Sequence, residues 1–214
     1  YAAFPGIKAL GCCHEVFGAR KLLAAIAREE FGAKDAAMGD IEVNVLGLNH
    51  FAWIDRAAYK GRDLMPAYAA FAGKHPDGFE EGGPGTWNKD YFTSGERVKF
   101  DLYARYGLIA AAGDRHLAEF MPPWYLRDKA TAASWKFTLT PVSWRAENAL
   151  ALRAKSKRLV SGEEPFVLER SGEEGVAIIR ALLGLGSFDS NANLPNRGQV
   201  AGQALGAVVE TNAL

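Results

Sequence analysis

Cysteine is nearly absent from this sequence: 214 residues contain only Cys12 and Cys13. Side chains on adjacent residues are poorly disposed for an ordinary disulfide, which excludes a cross-linked extracellular scaffold and makes the pair read as reduced thiols. Net charge is missing as well. The 25 Lys and Arg residues balance 25 Asp and Glu residues, leaving no field to draw the chain to nucleic acid or an anionic membrane. No apolar run approaches the roughly 20 residues of a spanning helix, and no basic, apolar, small-residue leader opens the chain. The GxGxxG fingerprint of dinucleotide sites does not occur, and Gly82-Gly83-Pro84-Gly85 lacks the strand, helix and lysine of a phosphate loop. A soluble, cytoplasmic protein with a small-molecule partner is expected, binding neither nucleic acid nor membrane.

What is present is a chain of one-domain size with mixed signals. An apolar run, GIKALGCC, reads as a strand, and Glu15 to about Glu30 carries Val16, Ala19, Leu23 and Ile26 at helical spacing before Gly32. Ile41 to Leu48 alternates like a half-buried strand, and HFAWIDRAAY reads as its neighbour, with Asn49-His50 at the junction. Leu64 to Ala72 reads as a helix, and Gly73 to Asn88 as a loop long enough to act as a lid. Thr93 and Glu96 have capping-box spacing ahead of Val98, Leu102 and Tyr106, and the helix should stop at Gly107. Asp114 stands at the head of a short helix, a charged helix follows Pro141, and Ser171 and Glu174 form a second capping box. Strands in FDSNANLPNRGQV and GAVVETNA flank a Pro-Asn-Arg-Gly turn. Helices mixed with a few strands imply an α+β fold with a mixed or antiparallel sheet packed against helices. The start at Tyr1 and the stop inside an apolar stretch lead us to expect a fragment.

There are only four histidines, and three of them, His14, His50 and His116, fall at element ends beside other reactive groups. A thiolate and an imidazole on neighbouring strand ends form a ligand pair suited to a divalent transition metal. The alternative is that Cys12 and Cys13 are small buried hydrophobes and His50 a hydrogen-bonded core residue. Asp114 is equally two-sided: a helix cap, or a general base at the mouth of a site whose pKa burial would raise. The pairs Trp124-Tyr125 and Trp135-Phe137 line either a sugar pocket or the core.

Four blocks in order resemble one family. GCCHEVFG, VLGLNHFAWI, RYGLIAAAGDRHLAEFMPPWYL and the closing PNRGQV and AVVETNAL are similar to segments of the NAD- and manganese-dependent glycoside hydrolases of family 4. GCCHEVFG, AAGDRHLAEF and SGEEGVAIIRALLGLG look most like the α-galacturonidase branch. The resemblance implies that Cys13 and His50 coordinate Mn2+ or another divalent transition metal. It also implies that Asp114 removes the sugar C2 proton, that His14 donates a proton to the leaving group, and that Asn49 lies near substrate hydroxyls. Cys12 receives no role. Such enzymes hydrolyse by transient oxidation at C3 with NAD, deprotonation at C2 and elimination, outside the two-carboxylate scheme. A uronide carboxylate calls for an arginine fork, and Arg115 and Arg197 are the candidates. Residues 1–214 would then be the substrate- and metal-binding C-terminal domain, similar in fold to the second domain of lactate and malate dehydrogenases. The NAD-binding domain would lie outside this sequence, the isolated chain would be inactive, and the whole enzyme a homo-oligomer. Other family 4 α-glycosidases, a 2-hydroxy-acid dehydrogenase-like domain and a non-catalytic oligomerisation module are the competing readings.

Overall fold

A computed structural model of the chain describes residues 6, 9–169 and 172–213, apart from the side chain of Ala213. The first strand is short. Of the run read as strand, β1 comprises Gly11–Cys12, and Ile7 and Lys8 lie outside the described residues. Helix α1, Glu15–Phe31, follows and buries Val16, Ala19, Leu23 and Ile26 at the expected spacing. It ends because Gly32 takes the left-handed conformation at φ 66° and donates its N–H to the Ala27 carbonyl, a geometry that costs glycine nothing.

Strands β2 (Ile41–Leu48) and β3 (Phe51–Tyr59) form an antiparallel hairpin with Asn49-His50 as its turn. Its register shifts between Asn44 and Val45, which leaves Asp55 without a register partner on β2. The extra residue inverts the side-chain alternation, so Ile54 and Ala57 both enter the same core although they are an odd number of residues apart. After β4 (Arg62–Asp63) come α2 (Met65–Lys74), α3 (Arg97–Tyr106), β5 (Ile109–Ala110), α4 (Asp114–Phe120), α5 (Lys129–Ser134), α6 (Val142–Ser161) and α7 (Gly175–Leu182). Strands β6 (Ser190–Pro195) and β7 (Val208–Ala213) flank the Pro-Asn-Arg-Gly turn as expected. Every pairing among the described strands is antiparallel, in the order β1-β6-β7-β2-β3-β4 with β5 on β3. The fold is α+β.

Two apolar clusters hold it together. In the first, Leu23 and Ile26 of α1 meet Ile41, Val45, Ile54, Tyr68 and Phe71. The second gathers Val98, Leu102, Leu117, Tyr125 and Phe137, with Phe51 and Trp53 packed against it. β3 is thus a shared wall, with Ala52 and Ile54 in one cluster and Phe51 and Trp53 against the other. Each fully buried large side chain contributes about 1.5–3 kcal/mol by leaving water. Tyr125 and Phe137 are therefore core, and Trp135 packs edge-on against Tyr125 at 4.7 Å.

The capping box read at Thr93 and Glu96 does not form. Glu96 is the N-cap of α3 but sits at φ 54° without a side-chain cap bond, because the cap comes from elsewhere in the chain, as described below. The loop read as a lid is a tied-down wall: Phe79 N–H donates to Gly95 O at 2.8 Å, and Glu80 accepts from Lys136 Nζ at 2.9 Å and Trp87 N–H at 3.2 Å.

One glycine sets the course of the hairpin toward His50. Gly47 has φ 145°, and a Cβ there would lie 2.7 Å from Phe51 O and 2.8 Å from Ala52 Cα, both backbone atoms. Gly47→Ala is expected to cost about 2 kcal/mol or more in a urea titration, because backbone cannot yield as a side-chain tip does.

Candidate functional site

Three loops deliver the chemistry to one place. The β1–α1 junction carries Cys13, His14 and Glu15; the β2–β3 turn carries Asn49 and His50; the start of α4 carries Gly113 to His116. β6 ties the first two together. Asn191 Nδ2 donates to Cys13 O at 3.0 Å and to Glu210 Oε1 at 2.7 Å, and Asn193 Nδ2 donates to Asn49 Oδ1 at 3.1 Å. Glu210, on β7, also accepts from the His50 backbone N–H. His50 itself is held in the left-handed region at φ 62°, a strain of about 1–2 kcal/mol that the surrounding bonds maintain.

At the centre is Glu15. One of its oxygens accepts the Gly113 N–H at 3.1 Å, and the other lies 3.4 Å from His116 Nε2. The His116 ring lies 4.3 Å, centroid to centroid, from that of His50. Glu15, His50 and His116 each offer a ligand atom, and these atoms all lie within 4.8 Å of one another. Burial pushes the Glu15 carboxyl up, but His116 and the Gly113 amide outweigh it and hold it down at about 2. Glu15 is thus a carboxylate throughout the physiological range. Burial and the neighbouring His116 lower the pKa of His50, which keeps its ring nitrogen lone pair available. Nδ1 of His116 is buried without a hydrogen bond, 3.5 Å from Glu119 Oε2.

Cys13 borders this group without belonging to the triplet. Its thiol faces the Glu15 N–H and senses Glu15 and Glu210, and burial raises its pKa. Cys12 is exposed. Glu210 is only 1% exposed, and burial pushes its carboxyl up to about 7 against the bonds from Asn191 and His50.

Asp114 is fully buried and performs a cap, though not of its own helix. Its two oxygens accept the N–H groups of Val98 at 3.2 Å and Lys99 at 3.1 Å, satisfying the first turn of α3. Beside it lies Lys99, 1% exposed, whose ammonium pairs with Glu96 at 2.5 Å. Burial, then the Glu96 carboxylate, push Asp114 up to about 7 against the pull of Lys99 and the two amides.

A cleft of about 690 Å³ opens beside these residues, lined by His14, Glu15, Gly113, Glu96, Lys99 and the wall loop, among others. His14 stands at its rim with its ring turned to Glu173, 3.0 Å away. The arginines read as carboxylate partners are not in the lining. Arg115 donates to Tyr91 O and Thr140 Oγ1 and stacks on Phe92, which does line the cleft, with its guanidinium 5.3 Å from the ring centroid. Arg197 is exposed in the β6–β7 loop. The cations that line the cleft are Lys21, Lys89 and Lys99. Glu15, His116, Glu210 and Lys99 are polar groups to which sequence reasoning gave no role, although His116 stood out there as a histidine at an element end. The first two had a visible signal, since one adjoins the Cys-His pair and the other follows Asp114 by two residues. Glu210 and Lys99 had none.

Known proteins share this arrangement of segments. The family described as "Family 4 glycosyl hydrolase C-terminal domain" matches residues 45–214. The chain is 54% identical over 216 residues to the alpha-galacturonidase of Thermoanaerobacterium saccharolyticum, covering 100% of this chain and 46% of that protein. Among solved structures, lplD of Bacillus subtilis superimposes with a TM-score of 0.91 at 49% identity, covering 100% of this chain and 48% of the other. A 6-phospho-alpha-glucosidase from gut microorganisms, solved in complex with NAD and Mn2+, shares the fold with a TM-score of 0.61 at 16% identity, over 99% of this chain and 45% of its own. The chain spans about half the length of the curated relatives it matches.

Proposed function

Since the chain belongs to family 4 of the glycosyl hydrolases, as the C-terminal domain of such an enzyme, we propose that it is the metal- and substrate-binding part of a glycosidase acting on α-linked galacturonides. The observation that carries this reading is the convergence of Glu15, His50 and His116 on one point beside Cys13. The alpha-galacturonidase relative supplies the substrate class.

The donor set suits Mn2+ or a similar divalent ion. Two imidazoles and a carboxylate, with a thiol at the edge, mix the nitrogen, oxygen and sulfur donors that such ions accept. When bound, such an ion supplies Lewis acidity toward sugar oxygens. No segment of the sequence has the form of a dinucleotide-binding loop. The NAD expected from the resemblance is assigned to no residue of this chain.

The protein side of the chemistry follows from where the groups sit. Asp114 is the base for the C2 proton in this reading: it is itself buried, with both oxygens on amides, next to Gly113 and Lys99 of the cleft lining, and must open toward the cleft to reach the sugar. Burial and the Glu96 carboxylate raise its pKa, which makes it a better proton acceptor than an ordinary aspartate. His14, at the rim, is the proton donor to the leaving oxygen once its ring turns from Glu173 to the sugar. Asn49, oriented by Asn193, hydrogen-bonds substrate hydroxyls. Arg115, adjoining His116 and stacked on the cleft residue Phe92, pairs with the uronide carboxylate, with Arg197 as second candidate.

Calorimetric titration of the Mn2+-loaded chain tests this reading. Galacturonate is expected to bind and galactose not, and Arg115→Gln together with Arg197→Gln should weaken galacturonate roughly tenfold through loss of charge-assisted bonds. Equal binding of the two sugars would sink the uronide reading. An unchanged double variant would dispose of the arginines alone.

A further inference from the structure

Glu96 sits in a way that capping a helix does not explain. Four described residues other than glycine have positive φ: His50, Lys60, Glu96 and Lys136. Lys60 shares the tight turn from β3 to β4 with Gly61, and His50 belongs to the cluster around Glu15. Glu96 opens α3 at φ 54°, where an ordinary N-cap is extended and glycine would escape the strain. Its neighbours impose the conformation. Gly95 N–H donates to Lys136 O at 2.8 Å, Gly95 O accepts the Phe79 N–H at 2.8 Å, and Glu96 O accepts the Phe100 N–H at 3.2 Å. Backbone strain held in place by its surroundings gathers at functional sites.

The Glu96 side chain is not used by the helix it opens. Asp114 accepts the Val98 and Lys99 amides in its place. Of the two Glu96 oxygens, Oε2 accepts from Lys99 Nζ at 2.5 Å, and Oε1 accepts from no described residue. Lys99 is 1% exposed, and burying an ammonium is costly, so its pairing with a carboxylate that is still 20% exposed needs a reason. That reason lies in the cleft of about 690 Å³, whose lining includes Glu96 beside Glu15 and Gly113. A buried cation fixes one oxygen and leaves the other for a ligand there.

We propose that Glu96 is a substrate-binding residue whose carboxylate, positioned by Lys99, accepts hydrogen bonds from hydroxyls of the sugar. This rests on the glycosidase reading above and adds to it the residue that orients the ring. An ionised carboxylate accepts and never donates, so it selects hydroxyls. It also repels the carboxylate of a uronide. The sugar is therefore turned with its hydroxyl edge to Glu96 and its own carboxylate away from it.

Calorimetric titration of the Mn2+-loaded chain with galacturonate and with its 2-, 3- and 4-deoxy analogues is the test. Glu96→Gln should bind galacturonate roughly tenfold to a hundredfold more weakly, the range for losing a hydrogen bond to a charged group. At least one deoxy analogue should bind the native chain more weakly than galacturonate by a similar factor. That penalty should vanish in Glu96→Gln, because the two changes remove the same contact, whereas a penalty owed to the metal or to another residue persists. Lys99→Met, which frees the carboxylate without removing it, should give an affinity between those of the native chain and Glu96→Gln; native affinity there removes the positioning role. Should Glu96→Gln fail to fold because Lys99 loses its partner, Glu96→Gln combined with Lys99→Met removes both halves of the pair, and the same comparison decides. Deoxy penalties equal in native and variant chains overturn the proposal, as does a Glu96→Gln chain that binds galacturonate like the native one. Either result leaves a native preference for galacturonate over galactose standing. A native chain that binds no galacturonate removes the glycosidase reading and this proposal together.

Discussion

Replacing Asp114 by alanine is expected to cost about 3–5 kcal/mol of stability, among the largest effects of any single polar change in this protein. Three losses coincide. The amides of Val98 and Lys99 lose their acceptor, and a missing cap alone costs about 1 kcal/mol. Both amides are buried, so they are left unsatisfied rather than returned to water. The Lys99 ammonium, 1% exposed, keeps its ion pair with Glu96 but loses the favourable field of Asp114. The milder change Asp114→Asn keeps an acceptor for only one of the two amides and turns a donor toward the other, so it should recover about half of the loss. Urea unfolding midpoints of the three proteins check this. A loss under about 1 kcal/mol for alanine, the range of an ordinary surface change, would mean that Asp114 does not hold α3, and its place beside the cleft would rest on α4 alone.

This capping also shows why the fold was easier to read than the site. The elements legible in sequence were those whose signals are local. Gly32 and Gly107 end α1 and α3 in the left-handed conformation, and the alternation of Ile41 to Leu48 gave β2 with its full extent. The start of α3 was not legible, because its cap comes from Asp114, some fifteen residues further along, and not from Thr93. Lys99 was invisible for a related reason: a lysine in a helix reads as solvated, and only the nearness of Asp114, beside its i, i+3 pair with Glu96, makes its burial tolerable. The aromatic pairs were ambiguous until Tyr125 found Asp101 for its hydroxyl and left its ring to the core. Of the residues drawn together, His50 and Cys13 were visible from their types, whereas Glu15 became central only when the fold set Gly113 and His116 against it. Glu210 required the β6–β7 pairing, which joins residues about 160 positions from the turn it supports.

Manganese should stabilise the chain strongly, and that stabilisation should depend on the three converging side chains. An ion that binds only the folded state adds RT ln(1 + [L]/Kd), about 4 kcal/mol at a thousandfold excess over Kd. For a chain of this length each kcal/mol moves the melting point by about 2–4 °C, so a rise on the order of 10 °C is expected. Glu15→Ala, His50→Ala and His116→Ala should each abolish most of it. Glu15→Ala will also destabilise the metal-free protein, because the Gly113 N–H loses its acceptor. The informative quantity is therefore the difference with and without Mn2+ within each variant, not the melting point itself. Cys13→Ser separates the two possible ligand sets. If sulfur completes the site, the serine variant should lose part of the shift and Mg2+, which prefers oxygen donors, should give little in any variant. If sulfur only borders the site, Cys13→Ser should keep the full shift while the two histidine variants lose it. A shift that survives His50→Ala and His116→Ala would place the ion elsewhere, and the proposed role of the Glu15 cluster would fail with it.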